Sequence, residues 1–177
     1  MLKISLKMLP VADIDWKNTK IVRGGIIPYY DYPEIRLYAF SIENGSGSLC
    51  DFGGHIEPED NDLLDAIIRE YYEESFGVFG KYTREEILTC KAMAGTETYQ
   101  ILVPSKLNPR DTINLFRQKL KHIQPSISHE VQGIVWLSKN QIYNIISIPN
   151  QYQDTSEIWR TYWRLQEALR NCYDDLI

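Results

Sequence analysis

Ile35 to Ile42 alternates apolar and polar positions, the period-two pattern of a strand with one buried face. Upstream, Lys20 to Tyr30 (KIVRGGIIPYY) reads as a first strand containing a glycine pair, and Tyr29 to Glu34, with Pro33, as the turn-rich loop between them. Asn44-Gly45 followed by Ser46-Gly47-Ser48 is a hairpin signal, returning the chain into Leu49 to Phe52. The period then changes. From Asp62 to Ser75, Leu63, Leu64, Ile67, Ile68, Tyr71 and Tyr72 recur at helical spacing. Gly77 sits just past the end, where a left-handed closing residue belongs. Glu86 to Ala94 and Thr96 to Val103 read as two strands joined at Gly95-Thr96, and Pro109 to His122 as a helix of basic character. Gly133 to Leu137 (GIVWL) is expected as a buried strand, Lys139 to Ile146 as a short helix, and Glu157 to Tyr173 as a terminal helix carrying Trp159, Trp163 and Leu165. Strands on both sides of a central helix, with more helices later, predict an α/β fold: a mixed β-sheet sandwiched between helices.

Composition narrows the class. At 177 residues, with no repeat and no Pro/Gly/Ser-rich linker, residues 1–177 suit one domain that ends in the helix at about 157–173. A net charge of −5 argues against broad electrostatic binding to nucleic acid or anionic membrane. It leaves open a small anionic ligand that arrives with its metal ion. Cys50, Cys90 and Cys172 are odd in number and far apart, which favours free thiols in a reducing compartment over disulfides or zinc. Met1 to Trp16 mixes charges among short apolar stretches and does not read as a signal peptide. No apolar run is long enough to span a bilayer. A soluble, cytoplasmic protein without a membrane partner is the expectation.

Candidate chemistry concentrates in Gly53 to Phe79, GGHIEPEDNDLLDAIIREYYEESFGVF. Glu70, Glu73 and Glu74 stand at i, i+3 and i+4, within roughly a third of one helix circumference at 100° per residue. Like charges at i, i+4 cost an isolated helix about 0.2–0.5 kcal/mol per pair. A solvated helix face is the plain alternative for such a run. A divalent cation reverses the sign, since magnesium takes several hard oxygen ligands in a small space. The preceding glycine pair lets backbone approach an ion or phosphate closely. Asp51-Phe52-Gly53 echoes a magnesium-binding signature of protein kinases, but the chain is too short for that fold and lacks its catalytic loop.

This stretch resembles the box of the Nudix hydrolases, G-x5-E-x7-R-E-U-x-E-E-x-G-U with U a bulky aliphatic residue. Gly54 supplies the first glycine, and Arg69-Glu70-Tyr71-Tyr72-Glu73-Glu74 supplies R-E-U-x-E-E with Tyr71 at the aliphatic position. The wording DFGG and then REYYEES looks like a subgroup also encoded by large DNA viruses, for which the host cytoplasm would be the setting. The box departs from the pattern twice. Its loop is one residue long, so the first glutamate position falls on Asp60 counted forward or Asn61 counted back. Gly77 also comes one residue late, with Phe76 in its place.

The resemblance implies a Nudix-like α/β/α sandwich and a pyrophosphohydrolase that cuts a diphosphate linkage in a nucleoside diphosphate derivative or nucleoside triphosphate. It implies Mg2+ or Mn2+ held by Glu70, Glu73, Glu74 and the Gly53 carbonyl, with Arg69 holding Glu70 in place. The missing first glutamate would weaken orientation of Arg69 before chemistry. Glu130 is the candidate general base, because ISHEVQGIVWLSKNQI is similar to the family's acidic residue before a late strand; an ordinary loop carboxylate is the alternative. His129 is expected at the surface. Arg23, Arg36 and His55 are candidates for contact with a nucleotide-like substrate, and Tyr38 a weaker one. Two alternatives stay open: a cap-removing enzyme, which alone would take RNA as a partner and would need the basic segment Lys106 to Lys121, and a non-catalytic nucleotide-binding module with a degenerate box. Trp159, Tyr162 and Trp163 are expected to pack inward, with a homodimer face as the alternative.

Overall fold

The computed structural model describes residues 8–123, 129–147 and 161–177. Its strands are β1 (Met8–Pro10), β2 (Arg23–Asp31), β3 (Arg36–Glu43), β4 (Leu49–Cys50), β5 (Phe52–His55), β6 (Lys91–Ala94), β7 (Tyr99–Pro104) and β8 (Val131–Ser138). Its helices are α1 (Leu63–Ser75), α2 (Arg84–Leu88), α3 (Pro109–Lys121), α4 (Lys139–Ile146) and α5 (Trp163–Cys172). The strands form one mixed sheet in the order β1-β6-β7-β2-β3-β4, with β5 also pairing β2 and β8 also pairing β3.

The period-two rule divides this sheet between two cores. Along β2, Ile26 points into a cluster with Leu63, Leu64, Ile67 and Tyr71 of α1 and Phe116 of α3. Its neighbour Ile27 points the other way, toward Ile142 of α4 and Leu165 and Leu169 of α5. The same alternation sends Ala39, Ile101 and Ala92 to the first cluster and Tyr38, Phe40, Leu102 and Met93 to the second. Helices therefore cover both faces, as expected of an α/β sandwich. Cys50 and Cys172 are buried free thiols, and Cys90 is a partly buried one. Among the described residues, no helix is long and apolar enough to cross a membrane.

One edge of β2 runs parallel to β7 from Gly24 to Tyr29. The opposite edge is shared. Its first half, Arg23 to Ile26, pairs antiparallel with β5, whereas Tyr29 to Asp31 pair with β3. β3 continues along β8 instead, so β5 and β3 part company and leave a cleft between them.

Two expectations are corrected. Glu86 to Leu88 belong to a helix, not a strand, because Thr83 and Glu86 form a reciprocal capping box that starts α2. Only Lys91–Ala94 remains extended. The left-handed residue closing α1 is Phe76 (φ 55°), with Gly77 (φ 68°) following it in the same region. A side chain there costs about 1 kcal/mol; the Phe76 ring is held by stacking on His129, centroids 4.3 Å apart, and by tilting against Phe116. The terminal helix is described from Trp163; residues 157–160 of the expected element, Trp159 among them, lie outside the described residues, as do Lys3 and Lys7.

Candidate functional site

α1 starts where the Asp62 carboxylate accepts the Asp65 backbone N–H at 2.9 Å and is clamped by Arg84, whose Nη2 lies 2.6 Å from Asp62 Oδ2. Burial of Leu63, Leu64, Ala66, Ile67 and Tyr71 fixes the helix against β2 and β5. The opposite stripe, with Glu70, Glu73 and Glu74, is thereby turned toward the cleft and solvent.

The loop before the helix settles which acid serves Arg69. Asp60 takes both ends of the guanidinium, with Nε to Oδ1 at 3.0 Å and Nη2 to Oδ2 at 2.9 Å. Asn61 turns away and donates to Asp65. The extra residue is absorbed by a tight turn in which Asp60 N–H donates to the Glu57 carbonyl and Glu57 N–H to Asp60 Oδ2. The expected weakening at Arg69 is corrected accordingly: an aspartate one residue off the pattern supplies the support. Hydrogen bonding to Asp60, then to Glu70, raises the Arg69 pKa above its usual value, and Asp60 is held below the ordinary carboxylate range by the same bond. Arg69 in turn donates to Glu70 Oε1 at 2.9 Å and lies 3.5 Å from Glu73 Oε2.

Glu74 is placed differently. Its Oε2 accepts the Gly53 backbone N–H at 2.9 Å. A Cβ on Gly53 would stand 2.1 Å from the Gly24 carbonyl oxygen, and one on Gly54 would stand 2.5 Å from the Glu70 carboxyl carbon. Gly53 thus lets β5 lie close against the β2 backbone, and Gly54 is the space into which Glu70 fits. Burial, the nearby Asp51 charge and weaker repulsion from Glu70 and Glu130 push Glu74 up to about 9, against the Gly53 hydrogen bond that lowers it. Glu70 is also raised, by burial first and by Glu73 and Glu130 beyond, with Arg69 opposing.

Among the described residues, no three acidic, histidine or cysteine groups converge to ligand spacing. Arg69 draws Glu70 and Glu73, and the Gly53 N–H holds Glu74. The donor set nevertheless suits a hard divalent cation. Its oxygens are carboxylates, and burial, the main cause of the raised Glu70 and Glu74, disfavours their bare charges in a way that a bound cation would offset.

The cleft itself has a volume of about 650 Å³, within the range of sites for ligands of nucleotide size. Gly53, Gly54, His55, Glu74 and Glu130 line one part of it, with Arg23, Ser41, Glu43 and Tyr162 completing the wall. Glu130 is exposed there, on a backbone fixed by its carbonyl accepting Asn44 N–H at 2.7 Å. Arg23 lies at the wall but is 5 % exposed, and donates twice to the buried Asp51 at 2.6 and 2.7 Å and once to Thr98. Burial works against its charge, but Asp51 holds its pKa above the ordinary value.

Arg36 is not brought to the cleft. It stands at the other end of β3, bonded through Nε to Asp31 at 2.5 Å and lying over the Tyr29 ring, which corrects its expected contact with substrate. Tyr38 is likewise buried, with its hydroxyl on the backbone of Ile177. His129 packs on Phe76 and places Nε2 3.1 Å from the Glu74 carbonyl, so it closes α1 instead of lying loose at the surface. Lys119 caps the same end through the Phe76 carbonyl, and Lys106 lies against Glu86, so neither lines the cleft. Asp51, which holds Arg23, and Tyr162 at the cleft wall are placed by tertiary contacts that no local spacing records.

No family model matches the chain, and no curated protein does. The chain is similar to solved Nudix structures. They include a C. elegans Ap4A hydrolase binary complex, with TM-score 0.47 and 18 % identity over 85 % of this chain and 94 % of that one. The NUDIX domain of Shewanella oneidensis NrtR complexed with ADP ribose has TM-score 0.46 and 11 % identity over 90 % and 94 %. RenU, a Nudix hydrolase from M. smegmatis, has TM-score 0.44 and 9 % identity over 71 % and 74 %. These are loose likenesses, and they assign no activity to this chain.

Proposed function

We propose that this chain is a Nudix-type, metal-dependent pyrophosphohydrolase that cleaves the diphosphate of a nucleoside diphosphate derivative or a nucleoside triphosphate. The observation that carries the reading is a partly buried glutamate, Glu74, on the Gly53 N–H in a cleft that Glu130 also lines, with Glu70 seated against Gly54 beside it. A helix face serving only solubility would have no use for a carboxyl raised to about 9. Glu70, Glu73 and Glu74, with the Gly53 carbonyl, would hold magnesium or manganese. When bound, such an ion supplies charge neutralisation on the diphosphate oxygens and a more acidic water. Arg69, fixed by Asp60, positions Glu70. Glu130, exposed at the cleft, is the group to accept the proton of the attacking water. His55, also at the cleft, faces the substrate.

A product screen by mass spectrometry over nucleotide sugars, dinucleoside polyphosphates, oxidised triphosphates and capped RNA tests this, with magnesium or manganese present. The expected outcome is metal-dependent product from a small-molecule diphosphate, lost in Glu73→Gln while the circular dichroism spectrum is unchanged. Stabilisation by a nucleotide with no product under either metal would overturn it in favour of a binding module.

A further inference from the structure

The segment that carries Glu130 to the cleft is held on both sides of its backbone. His129, one residue earlier, places Nε2 3.1 Å from the Glu74 carbonyl. A carbonyl only accepts, so Nε2 donates, and it satisfies one of the last carbonyls of α1, which have no partner within the helix. The imidazole also stacks on Phe76, 21° from parallel, and tilts against Phe116 of α3. Asn44, in the turn after β3, grips the other side. Its backbone N–H donates to the Glu130 carbonyl at 2.7 Å, and its side-chain amide donates to the His129 carbonyl at 3.2 Å. Val131, the next residue, is buried at the start of β8. Glu130 is therefore exposed at the cleft between two immobilised neighbours.

We infer that His129 is a positioning residue for proton transfer: with Asn44 it clamps the Glu130 backbone against the end of α1. The inference rests on the hydrolase reading for the role of Glu130. It adds what that reading leaves open, how a carboxylate on an exposed bend keeps its place. A general base works only within hydrogen-bond reach of the proton it takes. Holding its backbone beforehand removes the cost of ordering it at each turnover. The anchor point matters as much as the anchor. Glu74 lies in the last turn of α1, so His129 ties the base segment to the same helix that presents Glu70, Glu73 and Glu74. A shift of Glu130 relative to those acids must then break a hydrogen bond and a ring stack. His129 is itself partly buried and does not line the cleft, so it acts through Glu130 and not on the ligand.

Two measurements on the full chain test this, and the first does not depend on turnover. Amide exchange followed by NMR reads the Asn44 N–H, whose acceptor is the Glu130 carbonyl. His129→Ala should speed exchange there at least about tenfold, while the Ile67 amide in the middle of α1 keeps its wild-type protection. Unchanged exchange at Asn44 would overturn the inference. The second measurement uses the substrate that the product screen yields. His129→Ala should lower kcat by roughly ten- to a hundredfold, as a misplacement of about 1 Å does, with KM and calorimetric manganese affinity within about twofold of wild type. His129→Gln, whose amide can donate to the Glu74 carbonyl, should recover most of the loss. In a Glu130→Gln background, His129→Ala should have no further effect on kcat. A loss of manganese affinity matching the loss of kcat would make His129 a cap for α1 alone and overturn the inference. An undiminished effect of His129→Ala beside Glu130→Gln would do the same. Absence of product from the wild type would instead sink the hydrolase reading, with exchange at Asn44 still deciding whether His129 holds the segment.

Discussion

Glu74 provides the sharpest energetic test of the cleft. Its folded pKa of about 9 stands far above the 4.5 of an unperturbed glutamate, so without a divalent ion the folded protein carries a proton there that the unfolded chain has released. Between those two values folding takes up this proton, and stability must fall as pH rises, by up to about 1.4 kcal/mol per unit. From pH 6 to pH 8 this amounts to about 2.7 kcal/mol, or roughly 5–11 °C in the midpoint of a chain of this size. The lowered carboxylates Asp31, Asp60 and Asp62 act with the opposite sign and only below about pH 4, outside the window. Glu74→Gln isolates the effect, since its amide oxygen still accepts the Gly53 N–H while nothing there titrates. Urea unfolding of chelator-treated protein, followed by tryptophan fluorescence at fixed ionic strength, gives both slopes. The wild type should lose stability with pH more steeply than Glu74→Gln, and manganese at pH 8 should restore the wild type more than the variant. Parallel slopes would refute the reasoning, because they would mean the Glu74 carboxyl is solvated as an ordinary surface group.

Asp60→Asn should cut activity at saturating manganese by roughly tenfold or more, as loss of an outer support does, whereas Asn61→Asp should leave it unchanged; steady-state rates on whichever substrate the product screen yields decide between the two loop alignments. Gly54→Ala should displace the Glu70 carboxyl, which stands 2.5 Å from the added carbon, and weaken manganese binding about 10- to 100-fold in a calorimetric titration with little change in circular dichroism. Asp51→Asn leaves Arg23 buried beside a neutral partner and should cost about 3–5 kcal/mol in urea unfolding. Arg36→Ala should leave the Michaelis constant of that substrate unchanged, because its guanidinium is spent on Asp31 away from the cleft.

The sequence was most readable where one force acts along one short segment. Helical spacing located α1 almost to the residue, because burial on one face leaves a periodic trace, and alternation located β3 even though Tyr38 and Phe40 are buried on one side of it and Ala39 on the other. Reading failed where a local hydrogen bond outbid that trace. At Thr83–Glu86 two side chains cap a helix of five residues over a stretch whose apolar content also suits a strand. At Phe76 a ring stack holds a left-handed bend that the chain was expected to assign to glycine. The site divides along the same line. The acids and the glycine pair are close in sequence, so their spacing announced them. Asp51–Arg23 and Tyr162 are joined only by tertiary contacts, so spacing could not.

That division has a physical consequence for how the cleft works. Asp51 is engaged twice by Arg23, and Arg23 lies against Tyr162, so the wall of the cleft is one linked unit of anion, cation and ring. Asp51 is also the largest charged contributor to the raised pKa of Glu74. Arg23 occupies both of its oxygens, so the carboxylate that repels a charged Glu74 is itself held in place. A cation bound at Glu74 would therefore gain from a carboxylate that never touches it, while the same carboxylate steadies the arginine beneath the ring. Motif residues supply the charge in this arrangement, and residues outside the motif set both how strongly that charge is felt and which face lies next to it.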